Sequence, residues 1–288
     1  PTETYKVSAT FMDGYRNTAF LTIAGEQAAA KARRTGEALF KRMARMLAEA
    51  GLPPFTETRV EVIGAEDMYG ANARPTSREV VLKMAAKSPS KPAMELFARE
   101  FAAAGTSMAP GTTGLVGGRP TPTPVIRLFS FLVPKRAVPI TLQVGDACHG
   151  VEVPLSGGFD ESDIGAARRY AGAPATQGFN LVPLIRLAHG RSGDKGDKAN
   201  IGLIARKREY LPLLNHWLTP ERVAAHFAHN QPSRVERFDL PGANAMNFLL
   251  HDVLGGGGMA SLRTDNLAKC FAQVLLSMDV PVPDDISL

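Results

Sequence analysis

Tyr5-Lys6-Val7-Ser8-Ala9-Thr10-Phe11-Met12-Asp13-Gly14-Tyr15-Arg16-Asn17-Thr18-Ala19-Phe20-Leu21-Thr22-Ile23 decides how the chain begins to fold. Tyr5, Val7, Ala9 and Phe11 alternate with other residues, and after Asp13-Gly14 the residues Tyr15, Ala19, Leu21 and Ile23 share one parity. Successive strand side chains point to opposite faces. Asp-Gly between two such runs is a turn signal, so the stretch predicts a β-hairpin turning at Asp13-Gly14. A helical pattern follows from about Glu26 to Ala50, with Ala32, Gly36, Leu39, Phe40, Met43 and Leu47 on one stripe and Gly51 and Pro53-Pro54 to stop it. A hairpin followed by a covering helix is the beginning of an α+β unit rather than a doubly wound one.

Outward from this stretch the pattern continues. Arg59 to Ile63 predicts a strand, and Val80 to Met84 a short apolar element of either type. Ser90 and Pro92 open a second helix with Met94, Phe97, Phe101 and Ala104 inward and Gly105 at its end. Val125–Val133 and Val138–Val144 predict two more strands. The expected fold class is α+β: a mixed sheet with covering helices over residues 1–150, a linking or wrapping segment over 151–183 with a short helix at Glu161–Tyr170, and a small ferredoxin-like α/β sandwich over 184–288. In that last unit Leu184–Ala188, Ile201–Ala205, Val235–Phe238 and Met246–His251 supply strands. Tyr210–Trp217, a helix capped by Thr219-Pro220 and a helix after Asp265 supply the second layer.

The 288 residues carry 33 Lys and Arg against 28 Asp and Glu, a formal charge of +5. That balance fits an acidic small molecule as well as a nucleic acid. Finger spacings and paired aromatic platforms are missing and aromatics are only 7%, which turns the reading away from nucleic acid. No run approaches 18 apolar residues, so a soluble, cytoplasmic protein that does not enter the membrane is expected. Cys148 and Cys270 stand alone and are expected to be free thiols.

The densest chemistry lies in His189-Gly190-Arg191-Ser192-Gly193-Asp194-Lys195-Gly196-Asp197-Lys198-Ala199-Asn200-Ile201-Gly202. Read as a glycine-rich loop, it can bring its backbone close to a ligand. Arg191 can grip a carboxylate or phosphate with a planar fork and Lys195 can offer a point charge. Ser192 and Asn200 add hydrogen-bonding groups. Asp194 and Asp197, with Lys195 and His189, are candidates for proton transfer, and a divalent cation on the two aspartates is the weaker alternative. The bland reading is a polar surface turn. The stretch is neither a Walker loop nor a dinucleotide fingerprint. Gly255-Gly256-Gly257-Gly258 is a second candidate, with Gly256 and Gly257 as a backbone anion nest or the tip of a flexible hairpin. Gly111-Thr112-Thr113-Gly114 is a third, an anion cradle or a simple loop. His226 and His229 share a helical face and read as packing residues, with metal ligation the weaker alternative because no acidic partner is placed beside them, while His251 beside the glycine run can carry a proton.

Several of these strings together resemble the acyclic terpene utilisation protein A family: Tyr5-Lys6-Val7-Ser8, Asp13-Gly14-Tyr15-Arg16, Gly111-Thr112-Thr113-Gly114, Arg191-Ser192-Gly193-Asp194-Lys195-Gly196-Asp197, Asn200-Ile201-Gly202, Leu240-Pro241-Gly242 and the four glycines. The resemblance implies that residues 1–150 are the later part of a large family domain and 184–288 its attached ferredoxin-like domain. It also implies a glycine-rich α/β region ahead of anything present here, so the expectation is a fragment of a longer protein, a split form of the family, or a chain whose partner supplies that region; a homo-oligomer is the other expected assembly. In function it implies breakdown of citronellol- and geraniol-type branched acids carried as coenzyme A thioesters. The expected activity is a hydratase (hydro-lyase) or carbon–carbon lyase with coenzyme A as part of the substrate and no firmly implied cofactor. The alternative is a non-catalytic subunit or scaffold for a catabolic enzyme. The resemblance assigns no residue roles; those above rest on side-chain chemistry.

Overall fold

A computed structural model describes residues 2–75, 77–114, 118–156, 160, 162, 178–284 and 286. The opening stretch departs from its expected form. Thr4–Ala24 is one strand, β1, and not a hairpin. Two distant partners account for this. The later half of β1, Tyr15 to Ala24, pairs with β3 (Glu79–Ser88), and its earlier half pairs with β5 (Thr123–Pro134), so neither half needs the other. Asp13-Gly14 becomes a bulge, where the register with β5 slips between Met12 and Tyr15. Gly14 sits at φ +79°, and a Cβ there would lie 2.6 Å from the Ser88 carbonyl oxygen.

β2 (Glu57–Ile63) and β4 (Thr112–Gly114) complete a sheet of order β2-β3-β1-β4, with β5 also on β1. The α+β class holds, and within it every pairing of this sheet is antiparallel, because no crossover helix links neighbouring strands. α1 (Ala28–Glu49) and α2 (Lys91–Ser107) cover one face. The Ser90 hydroxyl caps α2 by accepting from the Ala93 N–H at 3.3 Å. Beneath the helices lie Leu21, Ile23, Val62, Val80, Leu82 and Met84, meeting Leu39, Met43, Met94 and Phe97 in one core. A 3₁₀ turn at Lys135–Ala137 shortens the strand expected from Val138, leaving the hairpin β6 (Thr141–Val144) and β7 (Ala147–Gly150).

Most of the expected linker, with the short helix at 161–170, lies outside the described residues. β8 (Phe179–Pro183) pairs with the last strand, β13 (Asp279–Pro283). The strand expected at Leu184–Ala188 begins as a 3₁₀ turn, Leu184–Arg186. Then come β9 (Ala188–Lys195), β10 (Lys198–Ala205), α3 (Leu211–Trp217), α4 (Pro220–His226), β11 (Val235–Leu240), β12 (Ala245–Leu250) and α5 (Phe271–Leu276). The strands form an antiparallel sheet of order β11-β12-β10-β9. Ile201, Leu203, Met246 and Phe248 meet Leu214, Phe227, Phe271 and Leu275 of the helical layer in a second core, the α/β sandwich of a ferredoxin-like domain. Met68 and Tyr69, from a 3₁₀ segment after β2, pack on this second core and bind the two parts together. Among the described residues no helix is long and apolar enough to cross a membrane.

Candidate functional site at the junction of the two sheets

The face of the first sheet away from its helices is charged, and strand alternation explains why. Val60, Val62, Leu82 and Met84 point to the helices, so Glu57, Arg59 and Glu61 of β2 and Lys83 and Lys87 of β3 point the other way, with Arg16 of β1 in the same row as Lys87 and Glu57. The segment from Leu254 to Cys270, between β12 and α5, lies over this face.

At its centre Lys83 and Glu61 are only 7% and 8% exposed. The Lys83 ammonium donates to Glu61 Oε2 at 2.9 Å, the Leu262 carbonyl at 2.8 Å and Thr264 Oγ1 at 3.1 Å, which uses all three N–H groups. Glu61 Oε2 also accepts from the Thr264 N–H at 2.8 Å and its hydroxyl at 2.6 Å, and Oε1 accepts from Arg59 Nε at 2.8 Å. Burial alone would raise the Glu61 pKa, but the donors on Thr264, Arg59 and Lys83 outweigh it and hold the carboxyl at about 2. Burial pulls Lys83 downward, and the Glu61 carboxylate offsets part of that.

Beside this contact the two glycine-rich strings come together. The stretch from His189 to Gly202, expected as a loop, is the hairpin β9–β10 with the two-residue turn Gly196-Asp197. Of its glycines Gly196 takes a positive φ, +68°, as a Gly-first hairpin turn requires. Gly190 serves packing instead, since a Cβ there would lie 2.9 Å from Leu203 and 3.1 Å from Leu276. Asp197 Oδ1 accepts from the N–H groups of Leu254 at 3.2 Å and Gly256 at 2.9 Å, and its carbonyl accepts from the Val253 N–H at 3.1 Å. The backbone nest of the four glycines is thus filled by the chain's own carboxylate. Gly256 and Gly257 both sit at φ +92°, and Cβ atoms on them would lie 3.2 Å from Arg127 Nη2 and 3.2 Å from the Gly196 carbonyl respectively. Arg127 Nη1 in turn donates to Asp13 Oδ2 at 3.2 Å, and Arg16 Nη1 donates to the Met259 carbonyl at 3.1 Å.

Asp13, Arg127, Gly256 and Asp197 are therefore joined by a chain of contacts, and Arg16 reaches the same glycine-rich segment at Met259, although these residues are far apart in sequence. Lys87 is paired with Glu57 at 2.6 Å beside Gly255, whose Cβ would come within 3.7 Å of Glu57 Oε1. Six cations, Arg16, Arg59, Lys83, Lys87, Arg127 and Arg263, face four carboxylates, Asp13, Glu57, Glu61 and Asp197. An anionic group is electrostatically favoured there.

The other candidates divide. In β9, Ser192 and Asp194 pair across from Ile201 and Ala199 on the core side, while His189, Arg191 and Lys195 lie on the open face with Asn200 and Gly202. Arg191 and Asp194 thus point to opposite sides of the hairpin. Ser192 Oγ accepts from the Ala272 N–H at 2.8 Å, at the start of α5. Asp194 Oδ1 stands 3.8 Å from Lys269 Nζ, and Lys195 Nζ contacts the Asp194 carbonyl. Asn200 Nδ2 donates to Asn247 Oδ1 at 3.2 Å. His189 contacts Arg206 at the far end of the hairpin, roughly 20 Å along β9 from Asp197 at strand rise. Gly111 packs on the Ala24 carbonyl, and Thr112, Thr113 and Gly114 form the edge strand β4 opposite Ile23, Thr22 and Leu21, well along β1 from the Asp13 bulge. His226 and His229 each donate Nε2–H to a carbonyl, Val274 at 2.9 Å and Met68 at 2.8 Å, and His251 binds Glu236 at 2.6 Å. Cys148 and Cys270 are free.

Sequence reading missed Glu61, Lys83 and Arg127, and took Arg16 for a turn residue beside Asp13. The signal that could have found the first two is the charge alternation Glu57-Arg59-Glu61 and Lys83-Lys87 inside otherwise apolar strands. Nothing local marks Arg127, whose place depends on β5 crossing to the first half of β1.

Residues 1–144 match the family described as acyclic terpene utilisation family protein AtuA, and residues 182–281 match the AtuA ferredoxin-like domain. No curated protein and no solved structure matches the chain. With two family matches covering both cores, and with motifs typical of the resemblance meeting at one junction, the chain belongs to the AtuA family and carries its ferredoxin-like domain.

Proposed function

We propose that the chain is a catabolic enzyme, a hydro-lyase or carbon–carbon lyase acting on a branched acyl-coenzyme A or related carboxylic acid, with the anionic or thioester end of its substrate at the junction around Arg127, Arg16 and Gly256. The observation that carries this reading is the meeting of three family-like strings at that junction: the Asp13 bulge, the Asp197 turn and the four glycines. Arg127 is the fork for the anion, about half exposed and held by Asp13. The Arg16 and Arg127 cations also favour a developing enolate. Asp197 is the proton-transfer candidate. Its Oδ1 is fixed by two N–H groups, and among the described residues Oδ2 takes no hydrogen bond. The test is incubation of the chain with a branched, α,β-unsaturated acyl-coenzyme A, followed by mass spectrometry. Water addition to give the 3-hydroxyacyl thioester, or that addition followed by cleavage of the Cα–Cβ bond into a shorter acyl-coenzyme A and a carbonyl compound, supports the reading. An unchanged thioester, in the presence of any co-purifying chain, contradicts it.

The rival reading, a subunit that joins a catabolic enzyme, draws on the arm formed by β5 and the first half of β1. Val7, Ala9, Phe11, Phe129 and Phe131 share one face of that ribbon, with Phe129 56% and Phe131 40% exposed and their rings 5.6 Å apart. A two-stranded ribbon is marginal in water alone, so a homo-oligomer contact or a partner chain on this face fits both readings. A Phe129→Glu variant that loses assembly in light scattering but keeps thioester turnover separates the arm's role from the junction's.

A further inference from the structure

One glycine of the second sheet has no reason within its own packing. The helical layer covers one face through Ile201, Leu203, Met246 and Phe248, and strand alternation turns the residues between them outward. In the β9–β10 hairpin Gly190 is small because Leu203 and Leu276 press on it, and Gly196 takes the turn. Gly202 does neither. It lies in the middle of β10 without a positive φ, and a Cβ there would meet nothing closer than 3.8 Å. Glycine inside a strand costs stability and marks a place where a group from outside the sheet comes close to the backbone.

The neighbours of Gly202 define the chemistry of that group. The strand registers place Arg191, Gly202, Asn247 and Phe238 in one row across β9, β10, β12 and β11, on the uncovered face. Arg191 and Asn247 stand two strand spacings apart, roughly 10 Å, with Gly202 as the floor between them. Asn247 Oδ1 accepts from Asn200 Nδ2 at 3.2 Å, which leaves the Asn247 NH₂ for another acceptor. Arg191 is exposed and makes no hydrogen bond and no ion pair among the described residues. The four strands set Arg191, Lys195 and Lys198 on this face against one carboxylate, Glu236, which is already held by His251 and Arg234. A guanidinium fork and an amide NH₂ on either side of a bare floor match a carboxylate. The far end of the row is apolar. Phe238 is 47% exposed, and in the next row Ile204 and Leu240, 51% and 47% exposed, flank Ala245. Neither row has a charged side chain on β11 or β12, so the body of the ligand is hydrocarbon and carries no second charge.

We propose that this open face binds a free monocarboxylic acid, with the carboxylate between Arg191 and Asn247 over Gly202 and the hydrocarbon body along Phe238, Leu240 and Ile204. A thioester has no carboxylate to place there. The position is therefore separate from the Arg127 junction, and the inference stands whether or not a thioester binds at that junction.

The experiment titrates octanoate into the full chain labelled with nitrogen-15, with octanamide as the probe lacking the charge and acetate as the probe lacking the body. Octanoate should move, and saturate, the magnetic-resonance signals of the Gly202 and Gly193 amides and of the Asn247 side-chain NH₂. Octanamide and acetate should each bind about tenfold or more weakly. Arg191→Ala should weaken octanoate by about tenfold or more and leave octanamide unchanged. Phe238→Ala should weaken octanoate about fivefold and leave acetate unchanged. Arg127→Gln, at the junction, should bind octanoate as the parent does. If a variant fails to fold by circular dichroism, the signals moved in the unaltered chain decide. Octanoate that leaves Gly202 unmoved, equal binding of octanoate and octanamide, or an Arg191→Ala protein of full affinity each overturns the inference. Loss of octanoate binding in Arg127→Gln alone puts the acid at the junction, which also overturns it while leaving the thioester reading in place.

Discussion

Glu61→Gln removes the charge that ties the Leu262–Thr264 segment to the first sheet. In the intact protein the carboxylate receives Lys83 Nζ at 2.9 Å, the Thr264 N–H at 2.8 Å, the Thr264 hydroxyl at 2.6 Å and Arg59 Nε at 2.8 Å. Its pKa of about 2 against an ordinary 4.5 corresponds to about 3 kcal/mol of preference for the ionised, folded form. Two effects reduce that figure. The side chain keeps some contact with solvent, and burial disfavours the Lys83 charge, so the pair as a whole is worth less than the carboxylate suggests. Removing one partner, however, leaves the other ammonium buried without a counter-charge, which costs about 3–5 kcal/mol in comparable cases. The expected loss is about 3 kcal/mol for Glu61→Gln. The double replacement Glu61→Leu with Lys83→Met should lose less than either single change, because no buried charge remains. Urea unfolding followed by circular dichroism measures the loss, and amide hydrogen exchange at Thr264 shows where it falls. A Glu61→Gln protein within 0.5 kcal/mol of the parent, with the Thr264 amide still protected, would refute the assignment of this contact as the tie between the units (threshold about the scatter of surface substitutions).

The acid limb of stability should carry the same signature. Because the folded Glu61 pKa is depressed, its contribution is complete above about 4.5 and is lost as pH falls from there toward 2; Glu61→Gln should flatten that part of the curve and leave the neutral region lowered uniformly. Asp197→Asn keeps an oxygen that can accept from Leu254 and Gly256, so its melting point should stay near the parent's while turnover falls roughly 100-fold. Asp194→Asn, facing only Lys269 at 3.8 Å, should change neither by much; loss of turnover in Asp194→Asn alone would move the chemistry to the core side of β9. Gly256→Ala meets both a φ of +92° and Arg127 Nη2 at 3.2 Å, and should cost about 1–2 kcal/mol and weaken anion binding, read by urea unfolding and calorimetry.

Local pattern carried most of the elements. The apolar stripe of α1 and the Ser90 and Thr219 caps are written in adjacent residues, and they appear where those residues put them. Asp13-Gly14 shows the limit of such reading. A turn signal within a hairpin-like pattern yields to tertiary pairing when each half finds a distant strand. The His189–Gly202 stretch misled for a related reason. Its glycines read as loop residues, whereas Gly190 is small because α5 packs against it and Gly196 alone takes the turn geometry. The junction was half legible. Asp197 and the four glycines were candidates by composition, but the fact that one fills the other's nest depends on the β10–β12 register, which no single segment encodes. Arg191 drew attention by its neighbours, while Arg127, flanked by Ile126 and Leu128 in a plain strand, drew none.

The anion position at the junction is tested most directly by calorimetric titration of a branched acyl-coenzyme A into three single variants, Arg127→Gln, Arg191→Ala and Arg34→Gln. Arg127 touches the glycine loop, Arg191 lies on the open face of β9, and Arg34 is on the exposed side of α1. Loss of one charge-assisted contact predicts about a tenfold or greater weakening for Arg127→Gln, with Arg191→Ala and Arg34→Gln binding as the parent does. Full-strength binding by Arg127→Gln, or a matching loss in Arg191→Ala, would contradict the account and put the ligand on the open face of the hairpin instead.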